Sequence, residues 1–267
     1  MYVIGERING MFKDVRGAIQ ERNAEVIRKL AKAQLEAGAN ALDVNVGPAS
    51  AEPKETMVWL VKTIRQVTKA PLAIDTTKAE VMEAGLAEAG PGSIINSTTG
   101  QAEKLAVFMP LAQKHQASVI GLTIDEKGIP RDAAGRTEIA LRIVAAAFEN
   151  GIEDMQRLFL DPIILPVNVT QVTPRHVMDT LREVHLLSDP APRTVLGLSN
   201  VSQGTALRSL INRTYLVMAI AAGLEAAIMD PLDEELMNAG ITAELLLNKQ
   251  VYCDDYLKAY RSSVKSG

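Results

Sequence analysis

The chain holds a single cysteine, Cys253, so no internal disulfide and no cysteine-based metal cluster can form. Aromatic residues are scarce at 4%, which leaves no platform for stacking the bases of single-stranded nucleic acid. The histidines His115, His176 and His185 are scattered along the chain, which argues against a metal hydrolase with clustered imidazoles. Positive charge is not in excess. The net charge of −4 lacks the basic face that neutralises phosphates, and it would be weakly repelled by an anionic membrane. No apolar run is long enough to span a bilayer. The opening MYVIGERING places Glu6 and Arg7 where a signal peptide needs its apolar stretch. These absences point to a soluble protein of the cytoplasm that binds neither nucleic acid nor membrane.

What the chain does contain is aliphatic bulk arranged in a regular alternation. Of 267 residues, 47% are hydrophobic and 22% charged, the composition of a globular protein with a full core. Short β-like runs recur every ~30 residues, the length of one β-α unit. They are YVIGE, ALDVNVG, PLAIDTT, GSIINST, SVIGLTID, RLFLDPII, RTVLGLSN and AAIMDP. Segments such as AEVIRKLAKAQLEAGA and TEIALRIVAAAFENG lie between them, with helical spacing of apolar residues and a closing glycine. Eight such units predict a single (β/α)8 TIM barrel of α/β class spanning residues 1–267. An open doubly wound sheet would need a glycine-rich turn after its first strand, and GERINGMFKDV is a poor match. A last helix is expected from about residue 254, packed outside the barrel.

Barrel chemistry sits on the loops that follow the C-terminal ends of the strands. Here those ends carry Glu6, Asn9, Asp43, Asn45, Asp75, Asn96, Asp125, Asp161, Asn200 and Asp230, with Arg7 as the basic exception. A mouth lined by acceptors and amides suits a neutral ligand rich in N–H donors and does not suit a sugar phosphate. Some of these residues have a competing structural use. Asp75 could cap the next helix, and Asp230 in MDPLDEEL reads foremost as a helix-start signal. Asn96, Asp161 and Asn200 have no such obvious employment. The glycine- and serine-rich stretch GLSNVSQG, Gly197 to Gly204, is read as a ligand-approach loop, with Gly197 letting backbone come close.

Other site chemistries fail on residue type. No strand run offers a buried lysine for a Schiff base, and no strand ends in the histidine of a nucleophile triad. A magnesium ion on Asp43, Asp75 and Asp161 is conceivable, although the amides among the acids favour an organic ligand.

Taken together, GERING, ALDVNVGP, IDTT, IINSTTG, LDPIILP, VLGLSNVSQG and LINRTYLVMA closely resemble the methyltetrahydrofolate–corrinoid methyltransferases. The likeness runs in order over essentially the whole chain. It is strongest to the methyltetrahydrofolate:corrinoid/iron–sulfur protein methyltransferases and weaker to the folate domain of cobalamin-dependent methionine synthase. It implies a homodimeric barrel with a pterin in its mouth, held by Asp75, Asn96 and Asp161. Asn200 then matches the asparagine near pterin N5, with Gln203 and Arg208 at adjoining ligand-contacting positions. Arg208 would face the benzoyl-glutamate, or else open solvent. Methyltetrahydrofolate or tetrahydrofolate is the substrate, and the corrinoid (cobalamin) belongs to a partner protein, since the chain has no DxHxxG-like motif. The loop DEKGIPRDAAGR could help recruit that partner.

Two other readings separate cleanly from this one. Dihydropteroate synthase shares the pterin-barrel plan but resembles this chain only at the acid and amide strand ends. Its lysine after strand 7 and basic strand 8 are replaced here by LSNVSQ and IMDP. A non-catalytic folate-binding scaffold would keep the site and lack the transfer.

Overall fold

Ile4, Ala41, Ala73, Ile94, Ile120, Phe159, Val195 and Ala226 meet at the centre of the molecule as one buried apolar layer, each from a different strand. In the structure, a computed structural model that describes residues 1–250, these strands close into a parallel barrel in sequence order. The strands are β1 (Tyr2–Asn9), β2 (Ala41–Asn45), β3 (Leu72–Asp75), β4 (Ile94–Thr99), β5 (Ser118–Leu122), β6 (Leu158–Asp161), β7 (Arg193–Gly197) and β8 (Ala226–Met229). All the β-like runs of the sequence form strands. The helix expected from about residue 254 lies outside the described residues.

Alternation along each strand explains why the runs are apolar on both faces. Ala41 points into the barrel, while Leu42 and Val44 pack outward in a second, larger core against the helices. The same division separates Phe159 from Leu158 and Leu160. A parallel sheet covered by helices has no wet face.

The helices forming that cover are α1 (Lys13–Gln20), α2 (Ala24–Glu36), α3 (Pro53–Arg65), α4 (Ala79–Ala89), α5 (Ala102–His115), α6 (Ala133–Glu149), α7 (Thr173–Val184), α8 (Arg208–Ala221) and α9 (Glu234–Leu246). Their starts follow local chemistry. Asn23, Asp132 and Asp233 cap α2, α6 and α9 by accepting from the backbone N–H of Val26, Gly135 and Leu236. Glycine is required where helix and strand nearly touch. A Cβ on Gly85 of α4 would stand 2.7 Å from the Ile74 side chain of β3, too close for any real contact.

The barrel is blocked at its N-terminal end. The Arg193 guanidinium lies 4.9 Å from the Tyr2 ring centre and 4.6 Å from that of Phe159, a cation–π plug. Ligand access is therefore from the opposite end. Among the described residues no helix is long and apolar enough to cross a membrane.

Candidate active site

Two residues beyond each member of the central apolar layer, the inward positions are Glu6, Asp43, Asp75, Asn96, Leu122, Asp161, Gly197 and Ile228. Strand periodicity turns them all toward a common axis, with Glu6, Asp75, Leu122 and Gly197 of the odd strands and Asp43, Asn96, Asp161 and Ile228 of the even strands in two staggered layers. Four carboxyls, an amide and a bare backbone thus converge just above a dry floor.

Their hydrogen bonds link neighbouring strands. Asn96 Nδ2 donates to Asp43 Oδ1 at 2.8 Å, which leaves the Asn96 carbonyl oxygen free to accept from a ligand. Asn45 Nδ2 donates to Asp75 Oδ2, and register places Asn45, Asp75 and Asn96 side by side on β2, β3 and β4. Asp161 accepts from the backbone N–H of Ile163 at 2.7 Å and of Gly197 at 3.3 Å. Each of its oxygens keeps a lone pair for another donor.

Burial governs the ionisation of this ring. Desolvation raises Asp75 and Asp161 to about 6, partly offset by the Asn45 hydrogen bond for Asp75, and by the Ile163 and Gly197 N–H groups and Arg136 for Asp161. Glu6 is pushed up to about 7, by desolvation and by Asp230, against the Ser199 hydrogen bond and the charges of Arg208 and Arg7. Asp43 is held well above the usual carboxylate range by burial and by the charge of Asp75.

The sign of the resulting pH effect is fixed. Glu6, Asp75 and Asp161 titrate higher in the folded chain than in the unfolded one, so the native state binds more protons over this interval. Their contribution to stability is complete below about pH 4 and is lost as the pH rises through 6 to 7. Between about pH 5 and pH 8, Asp75→Asn is therefore expected to show a shallower decline in unfolding temperature than the wild type. Parallel profiles would contradict the assignment.

The loop after β7 packs against this inward group. Leu198–Ser202 forms a 3-10 turn, and Asn200 is exposed on it with its Nδ2 folded over Gly197. A Cβ at Gly197 would stand 2.9 Å from that nitrogen. Ser199 Oγ donates to Glu6 Oε1 at 2.7 Å, fastening the turn to β1. The turn is also tied to the β6–α7 loop through Val167 N–H to Val201 O, 3.0 Å.

The sequence-predicted residues fall into two groups. Asp75, Asn96, Asp161 and Gly197 all face inward, and Asn200 Nδ2 lies over Gly197. Gln203 is exposed at the end of the turn, its N–H on Asn200 O at 3.1 Å. Arg208 does not reach across the mouth. Its Nε donates to Ser202 Oγ at 3.2 Å and its Nη2 to Ser199 O at 3.3 Å, bracing the turn that carries Asn200.

Other strand-end readings are corrected by the geometry. Asp125 lies past β5 in a turn and pairs with Arg142 at 3.4 Å. Asn9 accepts from Met11 N–H within its own loop. Asp230 accepts from Leu232 N–H, whereas the cap of α9 is Asp233. Asp75 caps nothing, because α4 begins after Lys78 without a side-chain cap. Among the described residues, no group of three His, Cys, Asp or Glu is placed to hold a metal ion. Glu6, Asp43 and Asn45, noted as polar strand ends but left out of the expected site, belong to it.

A closed parallel barrel with buried carboxyls and amides facing inward above an apolar cluster places the protein in the β/α-barrel class. The model of the pterin binding enzyme family matches residues 13–230, and the chain belongs to that family. It is 29% identical over 266 residues to the methylcorrinoid:tetrahydrofolate methyltransferase of Eubacterium limosum, covering 98% of this chain and 96% of that one. It is 30% identical over 239 residues to the methionine synthase of Mycobacterium leprae, covering 85% of this chain but 20% of that protein. Among solved structures, a Yersinia pestis dihydropteroate synthase with a pterine-sulfa conjugate superposes with a TM-score of 0.68, at 17% identity, over 92% of this chain and 94% of that one. At that identity the likeness is one of fold.

Proposed function

We propose that the protein transfers a methyl group between N5 of a reduced folate and the cobalt of a corrinoid carried by a partner protein. The observation that carries this reading is the inward convergence of Asp75, Asn96 and Asp161, each two residues beyond the buried apolar cluster. A reduced pterin presents N–H and exocyclic NH2 donors beside one carbonyl, and that convergence offers matching acceptors. Its shape supports a flat heterocycle, and its polarity penalises any analogue that leaves the acceptors unpaired. The full-length relative from Eubacterium limosum, named for this reaction, supports the assignment of chemistry. Its name puts the methylcorrinoid first and tetrahydrofolate second; one site serves both directions.

The chemical difficulty is the leaving group. A tertiary amine leaves poorly unless N5 takes up a proton or develops positive charge. Asn200, poised over Gly197, supplies a neutral amide to hydrogen-bond that charge as it forms. The raised carboxyls, Glu6 above all, keep protons within the mouth near neutral pH. The resemblance brings with it a homodimer and a corrinoid-bearing partner such as a corrinoid/iron–sulfur protein, and the mouth must admit that partner's cofactor.

Stopped-flow mixing with methyltetrahydrofolate and free Co(I) cobalamin tests the reading directly. Loss of the Co(I) absorbance with formation of methylcobalamin is expected. Tight folate binding with no transfer to any Co(I) corrinoid would instead identify a folate-holding scaffold. A second outcome follows from Gly197. In Gly197→Ala the new methyl displaces the Asn200 amide and intrudes on the inward face, so methyl transfer should slow severalfold and folate affinity should fall as well. Transfer at the wild-type rate would place Asn200 elsewhere in the reaction.

A further inference from the structure

Asp43, two residues beyond Ala41 on β2, is 2% exposed, too deep in the wall of the mouth for a ligand to reach it. Among the described residues, its side chain has one hydrogen bond, from Asn96 Nδ2 at 2.8 Å. The two residues belong to the same inward layer, from β2 and β4. Whatever Asp43 contributes to the site, it contributes through Asn96.

An amide side chain has an accepting and a donating end of nearly equal shape, and its neighbours decide which way it faces. Asn45 is tied at both ends: its Oδ1 accepts from Gly47 N–H, and its Nδ2 donates to Asp75. Asn96 is tied at one end only. Its backbone is held in place, with the Thr76 N–H on its carbonyl at 3.0 Å, so the freedom left to it is to turn the amide over. Asp43 opposes that turn, because its oxygen accepts from Nδ2 and would repel an amide oxygen put in the same place. Burial and the charges of Asp75 and Glu6 raise Asp43, against the Asn96 hydrogen bond. A neutral Asp43 still keeps a carbonyl oxygen for that bond.

The end of Asn96 left for a ligand is therefore its oxygen. A pterin carries its exocyclic NH2 and N3–H side by side in every oxidation state, an edge that suits a carboxylate such as Asp75 or Asp161. The N–H at ring position 8 is different. It exists only when the pyrazine ring is reduced, and in the oxidised ring the same nitrogen is an acceptor.

We propose that Asp43 is a positioning residue that sets the oxidation-state specificity of the mouth: by holding the Asn96 amide hydrogen it turns the Asn96 oxygen to the ligand, where it accepts from N8–H of a reduced pterin and repels the bare N8 of an oxidised one. The proposal rests on the folate reading above, whereas the bond between Asp43 and Asn96 is present without ligand.

The test is the ratio of dissociation constants for folic acid and tetrahydrofolate in the wild type, Asp43→Leu, Asp43→Asn, Asn96→Ala and the double variant Asp43→Leu/Asn96→Ala. Asp43→Leu should shrink the preference for tetrahydrofolate about tenfold, because the freed amide can offer Nδ2 to the bare nitrogen. Asp43→Asn keeps a carbonyl acceptor and should retain most of the wild-type preference. With Asn96 already replaced by alanine, Asp43→Leu should change the ratio no further. In the ligand-free protein, 15N–1H NMR of the Asn96 side chain should show one amide proton shifted downfield by the carboxyl, and Asp43→Leu should abolish that shift. If Asp43→Leu does not fold, Asp43→Ala is read in its place. Equal weakening of both ligands, or effects of Asp43→Leu and Asn96→Ala that simply add, would mark Asp43 as structural and overturn the inference. Wild-type protein that binds neither folate would refute the folate reading, and the amide spectrum would still decide whether Asp43 orients Asn96.

Discussion

Asn200→Ala is expected to slow methyl transfer at least ~tenfold while leaving the circular dichroism spectrum and unfolding temperature near those of the wild type. The two halves of that expectation have separate causes. Asn200 is exposed on a 3-10 turn that keeps its other attachments, Ser199 to Glu6 and Arg208 to Ser199 and Ser202. Losing its side chain opens no cavity and leaves no buried group unpaired, so the fold has little to lose. In the transition state the position over Gly197 matters more. Removing one preorganised hydrogen bond to developing charge commonly costs 10²- to 10³-fold, about 2.7–4 kcal/mol. The lower bound of ~tenfold allows for water taking the vacant place. Single-turnover stopped-flow at saturating folate isolates the chemical step. Transfer at the wild-type rate would remove Asn200 from the reaction, and a rise in the folate dissociation constant with unchanged rate would make it a binding group only.

The sequence disclosed the barrel because its signal is redundant. Every strand announced itself as an aliphatic run, and each error of a residue or two at an end left the alternation intact. The site was legible only where strand-end polarity coincided with the inward face. Asp75, Asn96 and Asp161 satisfy both conditions. Asp125 satisfied the first and failed the second, because β5 ends at Leu122 and the chain has already turned outward. Asp43 is legible only as a polar strand end and a conceivable magnesium ligand, yet it lies two residues beyond Ala41 and so faces inward. Arg136 carried no signal at all. An arginine in the first turns of an amphipathic helix looks solvated, and only the packing of α6 against its neighbours shows that it is buried. Arg208 illustrates the converse limit. Its position beside the ligand loop was readable, whereas the direction of its side chain depends on Ser199 and Ser202, which became acceptors only once the turn had formed.

Asp161→Ala should weaken folate binding about tenfold to a hundredfold at pH 8, the cost of deleting a charged hydrogen-bond acceptor, roughly 1.5–3 kcal/mol. The carboxylate is the meeting point of three demands: the Ile163 N–H, the Gly197 N–H and the donor edge of the ligand. Alanine leaves all three unanswered. Some of the loss is recovered, because the ligand-free wild type holds a desolvated charge that the variant does not, and this is why the expectation stops near a hundredfold. The pH dependence separates the acceptor role from simple packing. Asp161 titrates at about 6, so wild-type affinity should be level above pH 7 and decline as the pH falls through 6, where protonation removes the acceptor. In Asp161→Ala that part of the decline should vanish, leaving the contribution of Asp75, also raised to about 6. Asp161→Asn, with one carbonyl acceptor and no charge, should fall between the two in affinity and share the flattened profile. A dissociation constant unchanged by alanine at pH 8 would exclude Asp161 from the pterin's partners. A weakened but equally pH-dependent one would assign the titration to Asp75 and its neighbours instead.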